Sequence, residues 1–167
     1  NLPISHGECM MQPKVEARLT QALALTSTDR VLEVGTGTGY LTALLASCCA
    51  HVTSIDIHGD FLKPASARLE SLGIVNATFE EGDAAEDWAE DDGWDAIILT
   101  GSVPVPPHAH RNRLAAGGRL VAIVGQSPVM EAMLYSPSDD GESTEHSLFD
   151  TSLPPLINVQ TPSAFTF

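Results

Sequence analysis

Residues 31–42, VLEVGTGTGYLT, set Gly35, Gly37 and Gly39 between a run of branched apolar residues and a helix-like run. Glycines in such a turn let the chain reverse sharply and let a ligand reach the backbone, with a helix N-terminus just beyond. The spacing selects among ligands. A dinucleotide loop, G-x-G-x-x-G, would put its third glycine at position 40, which is Tyr40; here it falls at Gly39. A phosphate-cradling loop would continue into Gly-Lys-Ser/Thr, and this sequence does not. Glu33, two residues before Gly35, opposes phosphate and suits a cationic ligand.

Further polar residues recur at the ends of later apolar runs. Asp56 closes HVTSIDI, roughly 20 positions after the first glycine, where a carboxylate accepts hydrogen bonds from ribose hydroxyls. Gly82-Asp83 closes the next run and places a carboxylate where an adenine amino group could meet it. Asp95 opens WDAIIL, and Thr100-Gly101-Ser102 closes it. The plain alternatives are a ligand-free turn for the glycines, a helix N-cap for Asp56 and a turn cap for Asp83. His6 and Glu8 read as loop residues or acceptor contacts, and Met10-Met11 as core packing or a pocket lid. Trp88 and Trp94 read as packing residues.

The elements that must position these residues alternate. Apolar spacing over Lys14–Leu25 predicts a one-sided helix, with Pro13 in its first turn. Strands are expected at 30–34, 51–57, 77–80, 94–99 and 119–124, with a turn at 114–118. Helices are expected at 40–49 and 61–72, the second stopped by Gly73 with Pro64 in its first turn. Strands alternating with helices imply right-handed crossovers, hence an α/β, doubly wound, Rossmann-like, mostly parallel sheet. Ligands of such sheets sit at the carboxyl ends of the strands, where these polar residues are expected to collect. After Gly125 two strands, 132–136 and 145–149, flank the turn Ser138–Gly141 and predict a C-terminal antiparallel hairpin. The acidic stretch 83–92 reads as a solvated loop or short helix.

With 167 residues, 43% of them hydrophobic and 18% charged, the chain suits one globular domain. Lys and Arg total 8 against 22 Asp and Glu, a net charge of −14 that disfavours nucleic acid and anionic membranes as partners. No stretch approaches the roughly 20 apolar residues of a membrane-spanning helix. No basic leader with an apolar core opens the sequence, which begins at Asn1 rather than a methionine, so a natural start further upstream is expected. Cys48 and Cys49 are adjacent and Cys9 stands alone, which points to free thiols and the cytoplasm. The six histidines and three cysteines have no zinc-site spacing, so no metal is expected.

VLEVGTGTG, SIDI, EEGDA and WDAIILTGS together resemble the successive motifs of class I S-adenosylmethionine-dependent methyltransferases. Within that class, ISHGECMMQP (residues 4–13) is similar to the I-G-x-G-Q-T-I-S-x-P segment of protein-L-isoaspartate O-methyltransferases. DAIILTGSVPVPP, RLAAGGRLVAIVG and HSLFDTSLPPLIN resemble later segments of that family, so the similarity covers nearly the whole chain. It implies one methyltransferase domain over 1–167, with a lid segment at 1–13 and a hairpin and tail at 126–167. It implies S-adenosyl-L-methionine as cofactor and a protein or peptide with isoaspartyl residues as partner. The cofactor would be held by Met10, Met11, Glu33, Gly35, Thr36, Gly37, Gly39, Asp56, Ile57, Asp83, Ala84 and Thr100. His6, Glu8 and Cys9 would face the acceptor.

The sequence departs from the family pattern where Glu8-Cys9-Met10-Met11 stands for Q-T-I-S: the family's serine is Met11 here and its threonine Cys9, so no catalytic residue is assigned. A thioether donates no hydrogen bond to an incoming carboxylate. Methyl transfer itself needs little acid–base help when the acceptor is a carboxylate, ionised at neutral pH, and positioning supplies the rate. Two other readings stay open: a methyltransferase of this fold acting on a different acceptor, and a catalytically silent cofactor-binding homologue.

Overall fold

The computed structural model describes residues 1–88, 93–137 and 143–160. A two-stranded antiparallel ribbon opens the chain, pairing β1 (Leu2–Pro3) with β2 (Cys9–Met10). Helix α1 (Pro13–Leu23) follows, with Pro13 in its first turn and Leu19 and Leu23 fully buried. It ends at Ala24 in a left-handed conformation, two residues short of the expected end.

The main sheet is built from β3 (Arg30–Val34), β4 (His51–Asp56), β5 (Ala77–Glu81), β6 (Trp94–Val103), β7 (Leu114–Gln126), β8 (Val129–Pro137) and β9 (Ser143–Asp150). Their order is β5-β4-β3-β6-β7-β8-β9. The first five are parallel, and β8 and β9 are antiparallel. Helices α2 (Tyr40–Ala46), α3 (Gly59–Ser71) and α4 (His108–Arg111) lie in the crossovers. The chain moves outward from β3 through β4 to β5, then returns to the other side of β3 with β6. Neighbouring crossovers therefore diverge above β3 and β6 and leave a crevice at their carboxyl ends.

Alternation along β3 sorts the core. Val31 joins the buried cluster of Leu19, Leu23, Leu41 and Leu45 beneath α1 and α2. Leu32 and Val34 join Ile55, Ile97, Leu99 and Leu120 on the opposite face. Trp94 is buried, as expected of a packing residue, and Trp88 packs partly buried beside the same cluster.

Several expected boundaries change. The fourth sheet strand of the expectation ends at Leu99, but β6 runs on to Val103. Ser102 donates from its N–H to the Pro154 carbonyl and accepts from the Leu156 N–H, which extends the strand by an unforeseen partner. The expected turn at 114–118 lies within β7, where Trp94 pairs with Leu114. Helix α2 stops at Ala46, three residues early, with the Ser47 hydroxyl bonded to the Leu44 carbonyl. Helix α3 begins at Gly59, so Pro64 lies in the second turn and not the first. Three antiparallel-linked strands, β7 to β9, close the sheet, with the expected hairpin as the outer pair. The turn Ser138–Gly141, like positions 89–92 of the acidic stretch, lies outside the described residues. No helix among the described residues is long and apolar enough to cross a membrane.

Candidate active site

The loop after β3 carries Gly35 and Gly37 at φ 101° and 49°, backbone that a side chain would strain. Gly35 has a second reason. A Cβ there would collide with the Thr100 hydroxyl, which donates to the carbonyls of Val34 (2.8 Å) and Gly35 (3.0 Å). Thr100 thus clamps the loop from the neighbouring strand. Thr36 is buried, its hydroxyl 2.6 Å from that of Ser54.

Asp56 ends β4 beside this loop. Its carboxylate accepts from the N–H of Gly37 (2.9 Å) and from the N–H of His58 (2.9 Å). Both oxygens are oriented by backbone and keep lone pairs for a ligand. Asp83, after β5, accepts from the Ala85 N–H (3.1 Å) and from Asn158 Nδ2 (2.7 Å). The adjoining Ala84 carbonyl is bonded by Nε2 of the buried His110. Arg113 grips Asp87 with two nitrogens, at 3.0 and 2.7 Å, and holds that carboxyl below the usual range by its hydrogen bond.

These residues surround one cleft of about 890 Å³, counting its open mouth. Gly35, Thr36, Gly37, Asp56, Ile57, Asp83, Ala84 and Thr100 all line it. So do Glu8, Cys9, Met10 and Met11 from the N-terminal segment, whose Ile4 lies over Gly37. Met11 is 4% exposed and packs into the core beneath α1 while reaching the cleft, so lining and packing are one role. Among the described residues the lining contains the carboxyl groups of Glu8, Glu16, Asp56 and Asp83, and no Lys or Arg.

Four expected residues lie elsewhere. Glu33 does not face the cleft. Fully buried under α2, its carboxyl accepts from Thr42 (2.5 Å) and Ser54 (2.6 Å), and burial pushes it up to about 8. It is a neutral acid that ties β3, β4 and α2 together, because residue 33 points to the helix-covered face of the sheet. Gly39 caps α2 and lets α3 approach: a Cβ would stand 2.9 Å from that of Ala65. His6 lies outside the lining, stacked on His58 and bonded to Asp60. Asp95, expected among strand-end groups, sits at the opposite end and accepts from the Arg30 N–H (2.8 Å).

The sequence reading missed two parts of the wall. Leu153–Ile157 closes one side, tied to β6 by Ser102. Glu16 reaches the cleft from α1, 3% exposed, and burial pushes its carboxyl up to about 7. A signal existed: Glu16 precedes Leu19 and Leu23 by three and seven residues, so it shares their buried face.

The parallel sheet, the crevice at its switch point and the acid-lined glycine loop define a Rossmann-like methyltransferase. The sequence model of the family described as protein-L-isoaspartate(D-aspartate) O-methyltransferase matches residues 1–160. A protein-L-isoaspartate O-methyltransferase of Koribacter versatilis is 38% identical over 159 residues, covering 95% of this chain and 71% of that protein. Protein-L-isoaspartate O-methyltransferase 2 of Pelobacter propionicus is 41% identical over 162 residues, again 95% and 71%. Among solved structures, a protein-L-isoaspartate O-methyltransferase superposes with TM-score 0.77 at 25% identity, over 93% of this chain. This chain spans 50% of that one. A Plasmodium falciparum structure described as a protein-L-isoaspartate O-methyltransferase with S-adenosyl-L-homocysteine shares the fold. Its TM-score is 0.76 at 22% identity, covering 93% of this chain and 78% of that one. The chain belongs to the protein-L-isoaspartate O-methyltransferase family, and it is an S-adenosylmethionine-dependent methyltransferase.

Proposed function

We propose that residues 1–167 form one domain that esterifies the free carboxylate of isoaspartyl residues in proteins or peptides. The single observation that carries the cofactor half of this reading is the acid-lined cleft at the switch point. Its lining of four acidic side chains, without Lys or Arg among the described residues, fits a cationic nucleoside and opposes a pyrophosphate. S-adenosylmethionine, when bound, supplies an activated methyl group on a sulfonium.

The chain's own residues then bind and orient. Asp56, held by two N–H groups, accepts the ribose hydroxyls, and Asp83 faces the adenine side. Gly35, Thr36 and Gly37 form the floor, clamped by Thr100. The segment 1–13 acts as a lid: Ile4 covers Gly37, while Met10 and Met11 exclude water from the reacting end. Glu8 and Cys9 lie on the side where the acceptor enters. The acceptor carboxylate arrives ionised and needs no base. The free thiols fit a reducing compartment, the cytoplasm.

A second reading is favoured by one observation. Met11, at the position of the family's serine, offers no donor to a carboxylate, which suits a methyltransferase with a different acceptor. One experiment separates the two. The protein is incubated with an isoaspartyl peptide and labelled cofactor, and the product is treated with mild alkali. A methyl ester releases its label as methanol and supports the isoaspartyl reading. Label absent from this peptide but stable to alkali on another acceptor would replace it.

A further inference from the structure

Glu16 sets a buried carboxyl oxygen without a partner among the described residues at the wall of the cleft. Its side chain is 3% exposed, and Oε2 has no hydrogen-bond partner among the described residues. Burying such a group unpaired is costly, and a helix face already carrying Leu19 and Leu23 has no need of it. The charged and titratable groups on the surrounding elements do not relieve it. Glu33 on β3 is a second buried acid, itself held protonated by burial, and supplies no positive charge. Glu8, Cys9, Asp56, His58 and Asp83 line the same cleft. Tyr40 on α2 is half exposed, and Arg119 on β7 is engaged with Leu23, Ala24 and Asp29. Glu131 on β8 is a further acid. On α1 itself Lys14 is exposed and Arg18 lies on the Phe149 ring.

We propose that Glu16 is the buried counter-carboxylate for a positive charge of the bound cofactor, and so helps the cleft recognise a cation. The inference rests on the cofactor reading above. Two charges qualify, the sulfonium and the α-ammonium of the methionine part. Burial already pushes this carboxyl up to about 7. A cation brought alongside favours the charged form, so binding drives a proton off. Affinity must then rise with pH until the carboxyl is ionised in the empty site as well.

The test is calorimetric binding of S-adenosylmethionine and S-adenosylhomocysteine at about pH 6 and about pH 8. Wild type, Glu16→Gln and Glu16→Asp are compared, with Glu33→Gln as a control for the other buried acid. Wild-type affinity for S-adenosylmethionine should rise by about tenfold relative to Glu16→Gln across this range. Glu16→Asp should keep part of the rise. Homocysteine-ligand binding that shows the same rise assigns the ammonium; a rise confined to S-adenosylmethionine assigns the sulfonium. Should Glu16→Gln fail to fold, proton release by wild type and Glu33→Gln, read in buffers of different ionisation heat, decides. Release in both supports the proposal, and its absence overturns it. Equal binding by wild type and a folded Glu16→Gln at both pH values overturns it while leaving the cofactor reading intact. Failure of wild type to bind either ligand removes the cofactor reading itself.

Discussion

His6 lies flat on His58, with ring centroids 4.0 Å apart and 9° between the planes. Phe61 stands edge-on to both rings, and Asp60 receives His6 Nε2 at 2.8 Å, which holds that carboxyl below its ordinary range. His6 adopts φ 63°, so the N-terminal segment is bent to make this contact. It is a latch fastening the segment over the cleft to the start of α3. Replacing His6 by Ala removes a ring contact of roughly 0.5–1.5 kcal/mol. Cofactor affinity should fall by about twofold to tenfold, with the melting temperature little changed. Titration calorimetry showing an undiminished affinity would detach the latch from cofactor retention.

Glu33 links stability to pH. In the folded chain its carboxyl keeps a proton up to about 8, whereas the unfolded chain releases it at the ordinary value of 4.5. Between those values the unfolded state binds fewer protons, so this contribution is complete below 4.5 and is lost as pH rises through 8. The slope is at most roughly 1.4 kcal/mol per pH unit. Glu33→Gln should flatten the decline and gain stability over wild type at alkaline pH. Urea titrations at several pH values measure it; parallel curves for the two proteins would mean that Glu33 is ionised when folded.

Gly39 is a packing glycine at φ 78°, with Ala65 2.9 Å from a built Cβ. Gly39→Ala should cost roughly 1–3 kcal/mol from crowding and backbone strain. Gly73→Ala carries a similar positive φ but meets nothing within 4 Å, so it should cost less. Melting temperatures of the pair check the order.

Asp56→Asn removes the charge from a group oriented by Gly37 and His58 and sets an amide N–H₂ against one of their N–H donors. Loss of a hydrogen bond to a charged group costs roughly 1.5–3 kcal/mol, or about one to two decades of cofactor affinity. An unaltered dissociation constant would place the ribose elsewhere.

Met11→Ser restores a donor at the reacting end and trims a residue packed into the core. Isoaspartyl turnover should rise by about one to two decades, with cofactor affinity changed by a few-fold. The cavity left behind should lower stability by roughly 2–4 kcal/mol. A variant that folds yet is no faster on isoaspartyl peptide would show that Met11 does not limit that reaction.

The strand, loop and helix of residues 30–46 were legible because their causes are local. Branched residues favour the strand, positive-φ glycines the turn, and apolar spacing the helix. Boundaries fared worse wherever a distant segment supplied the partner. β6 extends through Ser102 because residues 154–156 bond to it, which no window of ten residues contains. α3 accommodates Pro64 in its second turn, where packing of Ala65 and Leu69 outweighs local preference.

The sequence by itself determined the alternating elements, the acid at the end of β4 and the glycine loop, and its motifs carried the resemblance to the methyltransferase class. Only the tertiary structure decided which groups face the cleft. Glu33 and Gly35 are two residues apart, yet one is buried under α2 and the other lines the cleft. Glu16, Thr100 and Leu156 come from three distant stretches and meet around the same space. The reason is geometric. Glu33 lies inside β3 on the face that α2 covers, whereas Gly35 lies past the end of the strand at φ 101°, where the chain turns into the crevice. A wall made of contacts across tens of residues exists only once the chain has folded.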